Sequence, residues 1–380
     1  MNLYYRVNDY HPFDIADSSV ASSVRHRVNR VCRCLPDDIN LTIFSILKAK
    51  PIKIIKCESH KTASNHRCIT YIVPSNFFGV ILKGLISIYL MLYLAMKLVR
   101  RDNFNLIYNL LPANILSYMF LSYIFPRLLK KTIFQIEELY SVYDFSFFKK
   151  KLTKIAENIV FYKGLNFIVV NENIKDLIKQ KKAKSIVDYG YNSRSSKVID
   201  IITSDSIIYT GRLDYVGGIE ILLKALADLP LDIKSKVIIT GNGGLKKKVI
   251  SCANDVGINY RGYLTDLEYE ALLLRAKISI NPLRSKCKFS RYSFPSKVLQ
   301  YLEYGCVVIS SGVAQPELEN FFADELLTYP NDDPTILNHL IKETDKLEFD
   351  KRAIIKKYQS FMNMKEKKMR TFFCDFLKGE

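Results

Sequence analysis

Two basic residues stand where a parallel sheet would present them to an anion. In "SIIYTGRLDYVGGIEILLKAL", Ser206 to Leu226, a β-branched run ends at Gly211, Arg212 follows, and Gly217 and Gly218 precede an apolar helical stretch. Ligands of open parallel sheets bind at the carboxyl edge of the strands, and glycines there let the backbone approach a phosphate closely. The planar fork of an arginine then clamps a pyrophosphate. In "RYSFPSKVLQYLEYG", Arg291 to Gly305, Lys297 stands where a helix begins. A helix amino terminus already carries partial positive charge, so a lysine there is disfavoured unless an anion is nearby. Pro295 suits the first turn, Ser293 or Ser296 can cap it, and Gly305 closes the helix. If that end faces the same edge as Arg212, N–H groups, a hydroxyl and Lys297 converge on one phosphate. "KVIITGNGGLKKKV" repeats the strand–glycine–helix order at Gly241, Asn242, Gly243 and Gly244. Taken singly, each glycine cluster is explained equally well by turn geometry.

The elements that must position these residues read as alternating short strands and helices. From Ser206 onward, "SIIYT", "KVIIT", "INYRGYL", "ISINPL" and "CVVIS" read as strands, separated by "GGIEILLKALADL", "LKKKVISCANDV", "DLEYEALLLRA" and "PSKVLQYLEYG" as helices. This is the signature of βαβ units on a parallel sheet. The first half keeps the rhythm with strand candidates "LYYRV", "LTIFSIL", "CITYIV", "NLIYNLL", "TIFQIEEL", "FIVVN" and "SIVDYG". The expected architecture is α/β with two doubly wound, Rossmann-like domains facing each other across a cleft. Residues 1–190 form the first, 191–205 a polar linker, 206–348 the second, and 349–380 a helix packing back on the first domain. That helix has an apolar face of Ile354, Ile355, Tyr358, Phe361 and Met362.

Composition narrows the partners. A chain of 380 residues with 48% hydrophobic content is expected to hold two cores, and 56 Lys+Arg against 38 Asp+Glu give a net charge of +18 that favours anionic partners. Tyr and Phe fall mostly inside strand and helix candidates rather than interleaving with arginine on one face, which argues against nucleic acid. Eight cysteines without a CxxC pair fit a reduced, cytoplasmic chain, and the start carries no secretory signal pattern. "FFGVILKGLISIYLMLYLAMKL", Phe77 to Leu98, is about as long as a spanning helix, which needs ~20 residues. A span would split the sheet it interrupts, so a buried or interfacial helix is expected, with Lys97, Arg100 and Arg101 favouring an acidic membrane surface. The five histidines, His11, His26, His60, His66 and His339, show no nucleophile or metal spacing, and no DxD carboxylate pair occurs.

"GRLDYVGGIEILLKAL", "VIITGNG", "YRGYL", "ISINPL" and "FPSKVLQYLEYGCVVISSG", in this order and spacing, resemble the carboxyl domain of the family 4 retaining glycosyltransferases, enzymes of the GT-B fold. The "FPSK" form and "FQIEELYS", Phe134 to Ser141, resemble the branch that builds bacterial O-antigen, capsule and exopolysaccharide. The resemblance implies transfer of a sugar from a nucleoside diphosphate donor to a lipid-linked or growing glycan at the inner face of the cytoplasmic membrane. No cofactor and no metal would be required. Arg212 matches the arginine that binds the donor diphosphate, with Gly211 beside it. The family's second cation falls at Gly217 here, which leaves Lys297 as its substitute. Tyr292 and Gln300 stand where the family pairs two glutamates for donor sugar and ribose. Tyr263 and Leu264 match the segment that meets the nucleotide base.

On the acceptor side, Glu137 and Glu138 end a strand where many relatives carry a histidine near the reacting sugar. A carboxylate there would position the acceptor hydroxyl or stabilise an oxocarbenium-like transition state. The family's glycine-rich first loop reads here as "DIADSSVASSVRHR", whose Asp17, Ser18 and Ser19 would bind acceptor. The expected catalytic set is therefore Glu138, Arg212 and Lys297. Two other readings stay open: a nucleotide-sugar 2-epimerase of the same fold, and a non-catalytic module binding polyanions or membrane.

Overall fold

The computed structural model describes residues 1–12, 22–49, 56–63, 65–98, 102–108, 110, 112–191, 205–312, 315–330 and 332–379. The chain divides into two compact units, Met1–Asn192 with Lys365–Glu380, and Ser193–Met364.

In the first unit the strands are β1 (Asn2–Asn8), β2 (Asn40–Ala49), β3 (Lys56–Ala63), β4 (His66–Pro74), β5 (Asn103–Tyr108), β6 (Thr132–Ile136), β7 (Asn166–Val169) and β8 (Lys184–Val187). They form one sheet in the order β3-β4-β2-β1-β5-β6-β7-β8. All neighbours are parallel except β3, which runs antiparallel along the edge of β4. Apart from β3, the order departs in both directions from β1, the winding that places a ligand crevice at the carboxyl ends of the central strands. The core gathers Leu3, Tyr5 and Val7 of β1 with Val24, Val28 and Val31 of helix α1 (Ser22–Cys34). The edge strand β3 is absent from the sequence reading because "KCESHKTA" has no apolar alternation.

In the second unit β9 (Ser206–Arg212), β10 (Val237–Asn242), β11 (Asn259–Tyr260), β12 (Ala276–Asn281), β13 (Val307–Ser311) and β14 (Leu326–Tyr329) are all parallel. Their order, β11-β10-β9-β12-β13-β14, reverses between β9 and β12. That is the Rossmann order, and the crevice lies outside the carboxyl ends of those two strands. The expected strand "INYRGYL" shrinks to Asn259–Tyr260, and Tyr263 and Leu264 fall in the loop that follows. Five of the longer helices of this unit carry the argument: α5 (Ile219–Ala227), α6 (Lys246–Val256), α7 (Asp266–Arg275), α8 (Ser296–Glu303) and α9 (Pro334–Asp345). On α5, Ile219, Leu222 and Leu226 are fully buried, worth roughly 1.5–3 kcal/mol each.

Three helices of the first unit carry a different pattern. They are α2 (Phe77–Lys97), α3 (Pro112–Ile124) and α4 (Phe147–Lys163), and α3 packs against both neighbours. Helix α2 buries Ser87, Leu90, Met91 and Leu94 against the sheet and α3, while Phe77, Ile81, Leu85, Tyr89 and Met96 remain exposed. It is long and apolar enough to cross a membrane, and only 28% of its most apolar window is buried. It is therefore not a core helix. Phe120 and Tyr123 of α3 and Phe147 and Phe148 of α4 lie within helices, as expected of the aromatic residues, but are also exposed.

One long helix, α10 (Lys351–Lys378), closes the chain. Ile354, Tyr358, Phe361 and Met362 are buried in its first half, and Met369, Phe373, Phe376 and Leu377 of its second half belong to the core of the first unit.

Candidate functional site

The carboxyl ends of β9 and β10 meet at backbone distance. The two strands pair Gly241 with Gly211 and Asn242 with Arg212. Gly241 holds φ at 133°, and a Cβ there would lie 1.8 Å from the Gly211 carbonyl oxygen, so only glycine fits. Leu213 donates from its backbone to Asn242, and Leu245 donates back to Leu213, so both loops form one ledge. Asn242 is exposed on it and accepts from the Gly243 amide at 3.0 Å through its own side chain.

Arg212 projects from this ledge. Its guanidinium is 70% exposed and pairs with Asp214 at 2.5 Å, while Asp214 also accepts from the Gly217 amide. A side chain at position 217 would meet the Arg212 carbonyl oxygen at 2.4 Å, so the turn itself leaves no room for a second cation there.

The cation is supplied from α8. Lys297 donates from Nζ to Thr210 Oγ1 at 2.9 Å, and its ammonium lies 5.5 Å from the centre of the Tyr269 ring. Burial pushes the Lys297 ammonium down to about 8. A half-buried cation held by a hydroxyl and an aromatic face is the arrangement an incoming anion stabilises. Thr210, the residue before Gly211, is buried and is the hub: Tyr301 Oη lies 2.8 Å from its hydroxyl and Tyr269 Oη 3.3 Å. Tyr269 donates to Gln300 Oε1 at 2.8 Å. Burial pushes the Tyr301 phenol well up, so it remains a neutral donor.

Local sequence explains this assembly. Thr265 and Glu268 form a capping box that starts α7 and fixes Tyr269 one turn in. Lys297 and Tyr301 are four residues apart on α8, so both reach the same hydroxyl. The expected serine cap of α8 is corrected: Pro295 occupies the capping position without a side-chain hydrogen bond, and Ser296 is exposed in the first turn. The amides there keep their capacity for an anion. Gly305 follows the helix at φ 72°, as its position required. Ser293 and Tyr292 are half-buried just before α8, and the Arg291 guanidinium lies 5.7 Å from the Tyr292 ring. Tyr263 is highly exposed and Leu264 half-buried beside the same edge. Thr210, Tyr269 and Tyr301 went unread in the sequence. A threonine preceding the glycine–arginine pair and a tyrosine one turn after the lysine were the available signals.

In the first unit, Glu137 and Glu138 part company. Glu137 is 1% exposed, accepts from Gln135 Nε2 at 2.8 Å and pairs with Arg27 at 3.3 Å. Burial pushes its carboxyl up, against the pull of Arg27. Arg27 also donates to Tyr108, and Tyr5 donates to Gln135, so the carboxylate belongs to an internal network. The expectation that Glu137 meets an acceptor is corrected: packing turns it inward. Glu138 is half-buried at the end of β6 and accepts from Tyr143 at 2.7 Å. Asp17, Ser18 and Ser19 lie outside the described residues.

Residues 204–343 match the family model described as "Glycosyl transferases group 1". No curated protein sequence matches the chain. Among solved structures, an E. coli trehalose-6-phosphate structure bound with UDP-2-fluoro glucose is similar at TM-score 0.67 and 11% identity, covering 100% of this chain and 99% of that one. Anabaena HepE in complex with UDP is similar at TM-score 0.63 and 12% identity, with 100% of both chains covered. The lipopolysaccharide outer core galactosyltransferase WaaB is similar at TM-score 0.62 and 12% identity, with 99% of both covered. The fold is α/β with two sheets, matching GT-B glycosyltransferase structures over the full chain. The domain match at residues 204–343 supports glycosyltransferase activity, and the solved structures show the fold.

Proposed function

We propose that this protein is a retaining glycosyltransferase that moves a sugar from a nucleoside diphosphate donor to a lipid-linked or growing glycan of a bacterial surface polysaccharide. One observation carries the reading: Arg212, Lys297 and the amino end of α8 gather at the point where the strand order of the second unit reverses. The leaving diphosphate is bound there, and Arg212 and Lys297 offset its charge in the transition state, with no metal or cofactor assigned to the transfer. The acceptor hydroxyl attacks the face from which the diphosphate departs. Its proton passes to the leaving phosphate, so no strong protein base is needed. Gln300 offers its amide N–H to a ribose hydroxyl while its carbonyl is held by Tyr269. Glu138 is assigned to the acceptor side. The free cysteines among the described residues support a reduced, cytoplasmic setting.

The acceptor would be met at an acidic membrane surface. α2, α3 and α4 all expose apolar side chains, and on α4 Phe147 and Phe148 adjoin the exposed Lys149, Lys150, Lys151 and Lys154 in sequence, a composition that inserts rings among acyl chains and pairs ammonium groups with anionic headgroups.

A thermal-shift screen across UDP, GDP and dTDP and their sugars tests the enzyme. Stabilisation by one nucleotide, lost in Arg212→Ala and Lys297→Ala, is expected. No stabilisation and no transfer from any of these donors with membrane lipid extract would end the proposal. Co-sedimentation with vesicles of pure phosphatidylcholine, with and without phosphatidylglycerol, tests the surface. Binding should need the anionic lipid and fail in Leu85→Glu with Tyr89→Glu; stronger capture by nucleic acid would reassign the face.

A further inference from the structure

The sheet of the first unit assembles three metal-ligating side chains that the sequence keeps far apart. Glu58 and His60 alternate on β3 and therefore share one face of that edge strand. His11 arrives from the segment that leaves β1, which is tied across β2 by the Asp9 amide on Ile46 and the Tyr10 amide on Ser45. The ligand atoms of the three residues all lie within 4.8 Å of one another. His11 Nε2 stands 3.5 Å from Glu58 Oε2, and His60 Nε2 stands 3.4 Å from the same oxygen. The two rings are nearly perpendicular, at 81°, with centroids 5.0 Å apart.

Two explanations bear on these distances. A strong N–H···O hydrogen bond spans about 2.7–3.2 Å, and two imidazoles competing for one oxygen would be drawn into that range. Ligands about 2.0–2.1 Å from a common zinc ion in tetrahedral geometry are separated from each other by roughly 3.4 Å. Both separations lie close to that edge length, at the long end of hydrogen-bond contact. His11 is buried, whereas Glu58 and His60 are partly open, so the cluster has a closed floor and an accessible mouth.

We propose that His11, Glu58 and His60 bind a zinc-class divalent cation, with water in the fourth position. Two imidazoles and one carboxylate are a borderline donor set that suits zinc and the late first-row metals over magnesium or calcium, which prefer oxygen alone. Cys68 lies opposite His60 in the strand register, but its thiol is engaged with the Thr70 hydroxyl at 3.5 Å, and water is assigned the open place. The ion links the edge strand to the segment leaving β1, a cross-link between parts of the chain 47 to 49 residues apart. This site is separate from the sugar transfer and does not depend on that reading.

The test uses the full chain stripped with a chelator and returned to zinc. A melting temperature that rises and saturates at one zinc per chain is expected, with Co2+ giving the strong visible bands of a tetrahedral site. His60→Ala and Glu58→Gln, both at partly open positions, should fold with unchanged far-ultraviolet circular dichroism and lose both signals. His339→Ala, in the other unit, should keep them. A stripped chain with no saturable zinc response overturns the proposal, as does a response retained in both site variants. An equal response to Mg2+ overturns the assignment of metal class.

Discussion

At the scale of single residues, Lys297 carries the sharpest prediction because its proton is loosely held. Burial lowers it to about 8 from its ordinary value, so the unliganded protein loses this charge as pH rises through 8. A diphosphate needs the charged form, and its own phosphates are already ionised there. Nucleotide affinity should therefore fall above pH 8, approaching tenfold per pH unit, while Lys297→Arg should remove that slope because arginine stays charged. Isothermal titration from pH 6.5 to 9.5 decides, and a flat wild-type profile would detach Lys297 from the phosphate. Thr210 is tested by stability. Thr210→Val leaves Lys297 and Tyr301 without their shared buried oxygen and should cost about 1–3 kcal/mol in urea unfolding. Legibility in the sequence divides along the same line. Arg212 and Lys297 were readable because each stands beside a local landmark, a strand-ending glycine or a helix start. Glu137 was not, since Arg27, Tyr5 and Tyr108 of its network come from distant segments and only Gln135 is near in sequence.

At the scale of elements, the ledge formed by β9 and β10 depends on a backbone approach that any side chain would open. Gly241→Ala places a Cβ against the Gly211 carbonyl and asks an L-residue to hold φ at 133°, a strain of order 1–3 kcal/mol before the clash is counted. The nucleotide-induced rise in melting temperature should disappear in this variant. Gly244→Ala, where nothing lies within 4 Å, should retain it. Retention in both would show that the ledge does not shape the phosphate site. Most strands were legible because buried parallel strands are written as continuous β-branched runs. Strand β3 escaped because an edge strand with solvent on it needs no apolar run, and β14 also went unread. The loss of β3 from the sequence reading also hid the histidine–glutamate cluster, whose spacing exists only after the sheet has formed.

At the scale of the whole molecule, the closing helix α10 contributes apolar side chains to both compact units. In its first half, the Phe361 ring lies 5.0 Å from Phe321 and 5.4 Å from Phe322 of the second unit. In its second half, Phe373 is fully buried in the core of the first unit, Phe376 packs 5.3 Å from Phe104, and Lys365 donates to the Val187 carbonyl. Truncating a buried phenylalanine to alanine costs about 3–5 kcal/mol, a large part of the roughly 5–15 kcal/mol that holds a domain. The two sites should therefore destabilise different units. Nucleotide binding distinguishes them, because a ligand held by the second unit raises the melting transition of that unit alone. In Phe373→Ala the nucleotide-sensitive transition should keep its wild-type temperature while the other falls. In Phe361→Ala the nucleotide-sensitive transition should fall. If calorimetry finds both variants lowering one common transition equally, the units unfold together and the helix acts as a coupling strut, which would make removal of its last half as damaging to nucleotide binding as loss of Phe361.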